Sequence, residues 1–338
     1  MPYAAYRRII DEDSHLIDID DFLHTEARPE HEALVPSMHD QKGLPVVQAG
    51  LDRGRELFAR RQGDPATMAK FEASLMDNTK SGWTRLGAFD PKERSHTLDL
   101  LGFEMQWVLP TFSFHQTVHA ASDEALAATS ITLNKAMADF CAHDERLKAV
   151  GYLPLNLGPD TARKIMDQGF ADGCYTFMVP TNEPDPEKLS YTHPEFDPIW
   201  AGFAERRIPA GIHVAANGEY NAVSPSFKNN GKSELALGGD APAGEVGLLH
   251  IGSSAVLFLS ALIFDGVFER HPQLRVISME HAATWLPSWL HQLDFTAHMF
   301  KRRREFPEAP SDTAKRHIKV SPFPDEPVGW IIENVGPD

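Results

Sequence analysis

Acidic residues and a histidine stand at alternate positions near the start of the chain. The segment IIDEDSH (residues 9–15) predicts a β-strand, and a strand places every second side chain on one face. We therefore expect Asp11, Asp13 and His15 on one face. Carboxylates and an imidazole that face a sheet interior are costly unless they bind a cation or pair with one another. Asp13 and His15 are thus candidate metal ligands, and an acidic loop that caps a helix is the alternative.

Two later apolar segments also end in ionisable residues. His213 lies at the end of PAGIHV (209–214), and Glu280 and His281 follow LRVISM (274–279). A single histidine after an apolar run is more often a core residue. Three segments that each end in Asp, Glu or His favour a shared site, because core histidines need not cluster at strand ends. His213 is a candidate ligand, and Glu280 and His281 are candidate catalytic residues.

The elements that must position these residues are short apolar runs separated by helical patterns. Helices between apolar strands predict a parallel sheet, and seven strands in one scheme favour a (β/α) barrel over an open sheet. Neither G-x-G-x-x-G after a strand nor G-x-x-x-x-G-K-[ST] occurs, so no motif indicates nucleotide binding. The predicted strands are 8–15, 104–110, 147–153, 174–179, 208–214, 274–279 and 317–322.

Residues 1–338 are expected to form a single domain with two long insertions. One insertion spans about 16–103, between the first and second strands, and a loop rich in Gly, Ala, Asn and Ser spans 215–243. Both leave the carboxyl ends of strands, where barrel enzymes keep their active sites. The apolar stretch 246–264 contains His, Gly and Ser residues, which favours a buried helix over a membrane span.

Composition excludes several classes of protein. Apolar residues are 42% and charged residues 24% of 338, and 32 Lys and Arg against 48 Asp and Glu give a net charge of −16. That charge makes nucleic acid and anionic membranes unfavourable partners. Two cysteines, Cys141 and Cys174, exclude a disulfide scaffold and favour the cytoplasm. No secretory signal is expected at the start, since residues 1–10 are not followed by an apolar segment.

The order and spacing of these segments resemble the amidohydrolase superfamily, in the branch that includes aminocarboxymuconate semialdehyde decarboxylase. The resemblance covers nearly the whole chain. It is carried by DEDSH (11–15), GFEMQWVLPT (102–111), GIHV (211–214), FDGVFERHPQLR (264–275), EHAATWLP (280–287), PDEPVGW (324–330) and GPD (336–338).

The resemblance implies a TIM-type (β/α)8 barrel with a mononuclear metal site. It places ligands at Asp13, His15 and His213 and a proton-shuttling histidine at His281. Asp13 stands where the decarboxylase has His, so the site carries one more negative charge. The expected cofactor is one divalent ion, with Zn²⁺ favoured and Mn²⁺ as the alternative.

A strand-eight Asp, which follows a Gly-Pro-Asp segment closely in the family, has no counterpart in this sequence. We therefore expect a barrel truncated before strand eight, and a fragment rather than a natural short form. A barrel without one strand would have two unpaired edges.

The leading functional hypothesis is a metal-dependent hydrolase that attacks a small carboxylic or aromatic compound with a metal-activated water. A non-oxidative decarboxylase of an aromatic or unsaturated acid uses the same ligands and is the alternative. An inactive fragment or non-catalytic homologue is a further one. Phe112 and His115 are predicted to contact substrate; His115 and His119 could instead form a metal pair on a helix. The expected partner is a small molecule, and a homodimer is left open.

Overall fold

The computed structural model describes residues 2–19, 22–37, 45–76, 82–216, 231 and 244–336. Within these residues the chain divides into two compact units. The first unit comprises 2–152 and 167–175, and the second comprises 153–166 and 176–336, each with the gaps just given. The expectation of a single domain over 1–338 stays a prediction. Most of the predicted loop 215–243 lies outside the described residues.

Seven strands occur where the apolar runs predict them, each trimmed by one to three residues at one or both ends. Their order in the sheet is β1 to β7, and the pairs β1–β2, β2–β3, β4–β5, β5–β6 and β6–β7 are parallel. The strands are β1 (Ile10–His15), β2 (Met105–Leu109), β3 (Leu147–Tyr152), β4 (Thr176–Met178), β5 (Ala210–His213), β6 (Val276–Met279) and β7 (Ile318–Val320).

Helices follow or separate these strands, as the alternating pattern predicts. Those up to β3 are α1 (Phe22–Glu26), α2 (Pro45–Gly63), α3 (Pro65–Ala73), α4 (Pro91–Leu101), α5 (Phe112–Val118) and α6 (Asp123–Cys141). The others are α7 (Pro159–Asp172), α8 (Asp197–Arg206), α9 (Gly244–Leu249), α10 (Ser253–Phe264), α11 (Val267–Arg270), α12 (Leu286–Phe300), α13 (Pro310–His317) and α14 (Val328–Val335).

Strand β1 contains one extra residue. Asp11 pairs with Gln106 and Ser14 pairs with Val108, so β1 uses three steps where β2 uses two. Such a bulge reverses the alternation of faces. Asp11 and Ser14 consequently share a face, and His15 points to the opposite one. The expectation that Asp11 shares a face with Asp13 and His15 is therefore wrong, because it assumed uninterrupted alternation.

Helix α4, inside the long insertion, is well defined by its ends. Asp90 caps it by accepting a hydrogen bond from the Glu93 amide (2.8 Å), and Pro91 occupies the first turn, where no intrahelical amide is needed. The helix ends at Gly102, which has a left-handed φ of 71°. These signals set the bounds of α4, and the helix places the side chains of Glu93 and Arg94 in the interior of the first unit.

The apolar stretch after residue 244 is two helices rather than one. Glu245–Phe264 is long and apolar enough to cross a membrane by length and composition, and 44% of its most apolar window is buried. The helical run is interrupted at residues 250–252, between α9 and α10. One face of α10, with Phe258, Leu259 and Leu262, is buried in the second unit. The expectation of a core helix rather than a membrane span stays a prediction.

Candidate metal centre

Asp13 and His15 lie together at the carboxyl end of β1. Asp13 Oδ1 is 3.5 Å from His15 Nε2, and both side chains are about one quarter exposed (25% and 28%). On the other side of the ring, His15 Nδ1 is 3.0 Å from the hydroxyl of Thr111. This contact fixes the ring so that Nε2 is the atom beside Asp13. Orientation by a hydrogen bond to the second ring nitrogen is typical of metal-binding histidines.

The end of β1 is held from behind by Arg94. Its guanidinium donates to the His15 carbonyl (2.7 Å) and to the Ser14 hydroxyl (2.6 Å). It also donates to Gln106 Oε1 (3.2 Å), and Gln106 Nε2 donates to Asp11 Oδ2 (2.8 Å). The carbonyls of residues 87 and 88 accept its remaining hydrogen bonds. Asp11 thus belongs to a buried polar network behind the strand.

Burial changes the acidity of both charged members of this network. It lowers the pKa of Arg94 to about 10, and the nearby Asp11 carboxylate opposes that change. Arg94 therefore remains a cation at neutral pH. Burial also raises the pKa of Asp11, against the hydrogen bond from Gln106. The buried Arg94 cation is tolerated because its N–H groups donate to five neutral oxygen acceptors, which replace the hydrogen bonds it would make with water.

His213 lies at the end of β5 and is buried. Its Nδ1 is 2.8 Å from the Val214 carbonyl oxygen. A carbonyl can only accept, so Nδ1 carries the proton and Nε2 of the neutral ring presents its lone pair. Nε2 lies 3.6 Å from Glu280 Oε2. This tautomer is the one that a metal ligand binding through Nε2 requires.

The turn after β6 carries the two predicted catalytic residues. His281 is fully buried, and its Nδ1 lies 3.0 Å from the hydroxyl of the equally buried Ser278. Glu280 and Ala282, on either side of it, have left-handed φ angles of 54° and 57°. Residues with a Cβ rarely adopt this conformation, and where they do the surrounding structure has to hold it in place.

The three predicted ligands together could hold a metal ion. One donor atom from each of Asp13, His15 and His213 lies within 4.8 Å of the other two. Among the described residues, no other group of three or more His, Cys, Asp or Glu side chains is placed so that it could hold a metal ion. One carboxylate and two imidazoles are donors that suit Zn²⁺ and Mn²⁺ alike. The residues present therefore fit a divalent ion.

The predicted substrate residues both lie on α5. Phe112 is half-buried and stacks on Trp83, with ring centroids 4.6 Å apart and planes at 11°. His115 is exposed and lies against His119, with ring centroids 4.2 Å apart. Partial covering of the ring by its neighbours first, and the nearby His119 second, lower the pKa of His115. Thr111, which contacts His15, directly precedes α5. The substrate role of Phe112 and His115 stays a prediction.

Four residues of functional interest were not found by sequence reasoning. Thr111 and Ser278 orient imidazoles, Arg94 holds the end of β1, and Glu326 accepts hydrogen bonds from the Ala283 and Thr284 amides. Thr111 and Ser278 stand beside residues that the sequence did single out, so position was an available signal. Nothing in the local sequence distinguishes Arg94 from an ordinary surface charge, and Glu326 lies in PDEPVGW (324–330), a segment that carries the resemblance but to which no role was assigned.

A family model described as amidohydrolase matches residues 10–309 of the chain. None of the curated proteins matches. An amidohydrolase from Mycobacterium avium subsp. paratuberculosis K-10 is similar in structure, with a TM-score of 0.70 and 19% identity over 97% of this chain and 86% of that one.

Two decarboxylases are also similar in structure. The 5-carboxyvanillate decarboxylase from Sphingomonas paucimobilis has a TM-score of 0.57 and 17% identity over 98% of this chain and 86% of that one. A dihydroxybenzoic acid decarboxylase from Polaromonas sp. JS666, with bound manganese and 2-nitroresorcinol, has a TM-score of 0.55 and 17% identity, covering 78% and 79%. These likenesses show the fold, a TIM-barrel-like α/β fold with parallel strands, and confirm the predicted fold class.

Proposed function

This chain belongs to the amidohydrolase family, and on that premise we propose that it is a metal-dependent, non-oxidative decarboxylase of a hydroxylated aromatic carboxylic acid. The observation that carries the proposal is the group formed by Asp13, His15 and His213. The decarboxylases of similar fold act on aromatic acids, and one of them binds manganese. The hydrolase hypothesis uses the same ligands and becomes the alternative outcome of the assay.

Asp13, His15 and His213 would hold one divalent ion. When bound, the ion supplies positive charge that orients the oxygens of the substrate and stabilises negative charge during the reaction. Thr111 keeps the His15 ring in place, and the Val214 carbonyl keeps the proton of His213 on Nδ1. Both contacts reserve the Nε2 atoms for the ion. Mn²⁺ and Zn²⁺ are both to be assayed, since the donor set does not separate them.

His281 is the proposed proton carrier. In decarboxylation the bond between the ring carbon and the carboxyl carbon breaks and CO₂ leaves, and the electron pair that stays on the ring carbon takes a proton. His281 would donate that proton, and its contact with Ser278 holds the imidazole in one orientation. General acid catalysis of this kind contributes about 10²–10⁴-fold. Glu280, 3.6 Å from His213, would keep negative charge beside that ring.

The test is CO₂ release. Protein stripped of metal is reconstituted with Mn²⁺ or Zn²⁺ and given 5-carboxyvanillate, 2,6-dihydroxybenzoate and a panel of related hydroxybenzoates. We expect CO₂ in amounts equal to the acid consumed, dependence on added metal, and loss of turnover in His281→Gln. His291→Gln, which changes an exposed histidine of α12, is the matched control and should keep full activity.

One result would overturn this proposal. If no hydroxybenzoate releases CO₂ while the metal-loaded protein hydrolyses an ester, lactone or amide, the chain is a hydrolase. Retention of full decarboxylase activity by His281→Gln would remove His281 from the mechanism while leaving the reaction in place.

A further inference from the structure

The turn that follows β6 is in a conformation that its own residues do not favour. Glu280 and Ala282 both have left-handed φ angles, although neither is glycine, and they lie on either side of the buried His281. A strained turn persists only where neighbouring groups determine it. Some other part of the second unit must therefore supply hydrogen bonds that hold the turn.

Glu326 supplies acceptors for the amides of this turn. Its Oε1 accepts from the Ala283 amide (2.9 Å) and the Thr284 amide (2.8 Å), and Oε2 accepts from the Ala283 amide (3.0 Å) and the Phe323 amide (2.7 Å). An ionised carboxylate only accepts, so it matches three backbone donors without conflict.

The position of Glu326 is itself fixed by its own segment between β7 and α14. The Glu326 amide donates to the Phe323 carbonyl (3.1 Å), and the Glu326 carbonyl accepts from the Val328 amide (2.8 Å). Pro327 restricts the backbone between these two bonds. The carboxylate therefore reaches the turn from a short segment whose conformation is already set.

Trp285 holds the carbonyl side of the same turn. Its indole Nε1 donates to the carbonyls of His281 (3.0 Å) and Ala282 (2.9 Å). Gly252 leaves the space that this requires, because a Cβ there would lie 2.6 Å from Trp285 Nε1 and 2.9 Å from the His281 oxygen. Glu326 thus binds backbone amides that follow His281, and Trp285 binds backbone carbonyls of the same turn.

We propose that Glu326 is a positioning residue, which acts through the Ala283 and Thr284 amides to keep His281 against Ser278 and Glu280 beside His213. The consequence for turnover rests on the proposed function; the effect on the turn does not. Without the carboxylate the turn relaxes and His281 moves. A displacement of about 1 Å in a reacting group can cost about 10²-fold in rate.

The experiment compares Glu326→Ala and Glu326→Gln with Asp325→Asn. Asp325 is an exposed carboxylate next in the chain, so its variant is the matched control. Amide hydrogen exchange is followed in peptides that contain residues 280–285 and, as a reference for global unfolding, in peptides from α6. Turnover and metal content are measured on the same Mn²⁺-loaded preparations with the hydroxybenzoate that releases most CO₂.

In Glu326→Ala we expect the Ala283 and Thr284 amides to lose protection, while α6 and the metal content stay as in the unchanged protein. We expect kcat to fall about 10-fold to 100-fold with KM little changed, because the displaced group acts in the reaction rather than in binding. Glu326→Gln keeps one acceptor oxygen and should restore part of both properties. Asp325→Asn should match the unchanged protein.

Unchanged exchange at Ala283 and Thr284 would overturn the proposal, and so would faster exchange with unchanged kcat. If no probe acid is turned over, the proposed function fails, and the ¹⁵N signals of His281 then decide. A shift of the Nδ1 signal in Glu326→Ala, absent in Asp325→Asn, supports the positioning role, and an unchanged signal overturns it.

Discussion

The two strand ends that present the proposed ligands and catalytic groups are held by opposite means. At β1 a buried cation, Arg94, donates to the carbonyl of His15 and the hydroxyl of Ser14. After β6 a half-buried carboxylate, Glu326, accepts from backbone amides. Within residues 10–15 every φ is negative, whereas the turn at 280–282 has two left-handed residues.

Because the two supports differ, we expect the loss of Arg94 to affect mainly the stability of the first unit and the loss of Glu326 to affect mainly the position of His281. Removing Arg94 would leave several acceptors of the first unit without their donor in a buried place, where such a loss is expensive. Of the amides that Glu326 binds, that of Ala283 belongs to a buried residue, but Thr284 is exposed, so water can replace part of what the carboxylate supplies. We therefore expect the first support to determine whether its unit folds, and the second to determine where His281 lies.

The largest expected effect is removal of the ligands themselves. The double change Asp13→Ala, His15→Ala takes away two of the three donors, and we expect bound Mn²⁺ to fall to background after dialysis. Elemental analysis measures the metal. The control is Asp325→Ala, His291→Ala, which removes an exposed carboxylate and an exposed imidazole elsewhere. Equal metal in the two double variants would place the ion at other residues.

The second prediction breaks the support of β1. Arg94→Met keeps most of the side-chain volume and removes the guanidinium, and we expect a loss of about 3 kcal/mol in the free energy of unfolding, since a buried hydrogen-bonded charge is lost. Mn²⁺ affinity should fall as well, because His15 is no longer held. Urea unfolding and metal titration measure the two effects. Arg53→Met, an exposed position on α2, should change neither, and a stable Arg94→Met with normal affinity would contradict the comparison.

Strand positions were predictable because they depend on local apolar runs bounded by Pro, Gly and charged residues. All seven strands and the residues at the ends of β1, β5 and β6 followed from that pattern. The resemblance then selected Asp13, His15 and His213 from those ends. The expected absence of an eighth strand, the zinc preference and the roles of Phe112 and His115 stay predictions.

The features that hold the strand ends in place could not be predicted from the sequence, and the physical reason differs from one feature to the next. The bulge in β1 leaves no mark in the composition of IIDEDSH, and it moves Asp11 to the other face. Arg94 reaches Ser14 across 80 positions of sequence, which no local pattern records. The stretch 246–264 was expected to be one helix, but α10 begins only after Gly252, a residue that packs against Trp285.

The third prediction tests the bulge with a pair of single changes. Asp11→Asn should leave Mn²⁺ binding unchanged, because the Asp11 carboxylate accepts from Gln106 Nε2 and from the backbone amide of Asp13, and it is not among the three donor groups. The asparagine keeps an acceptor for Gln106 Nε2, so the free energy of unfolding should change by no more than about 1 kcal/mol. Asp13→Asn, two positions away, should lose metal. If both variants lose metal to the same degree, then Asp11 contributes to the ion site and the separation of faces is wrong.

The smallest expected effect concerns the strain in the turn after β6. Ala282 has a φ of 57°, which costs an L-residue about 1–2 kcal/mol but costs glycine nothing. Ala282→Gly relieves that strain, and the greater freedom of glycine in the unfolded chain offsets about 0.4–1 kcal/mol of the gain. The net expectation is an unfolding free energy that is unchanged or higher by up to about 1.5 kcal/mol.

Ala201→Gly gives this last prediction its contrast. Ala201 lies inside α8, where glycine lowers stability by about 1 kcal/mol. The same substitution should therefore lower the free energy of unfolding at position 201 but not at position 282 when both variants are unfolded in urea. If Ala282→Gly is destabilised as much as Ala201→Gly, the left-handed conformation stores no strain. Glu326 and Trp285 would then be holding a turn that already favours its shape, and the two strand ends would differ in their partners but not in how much they depend on them.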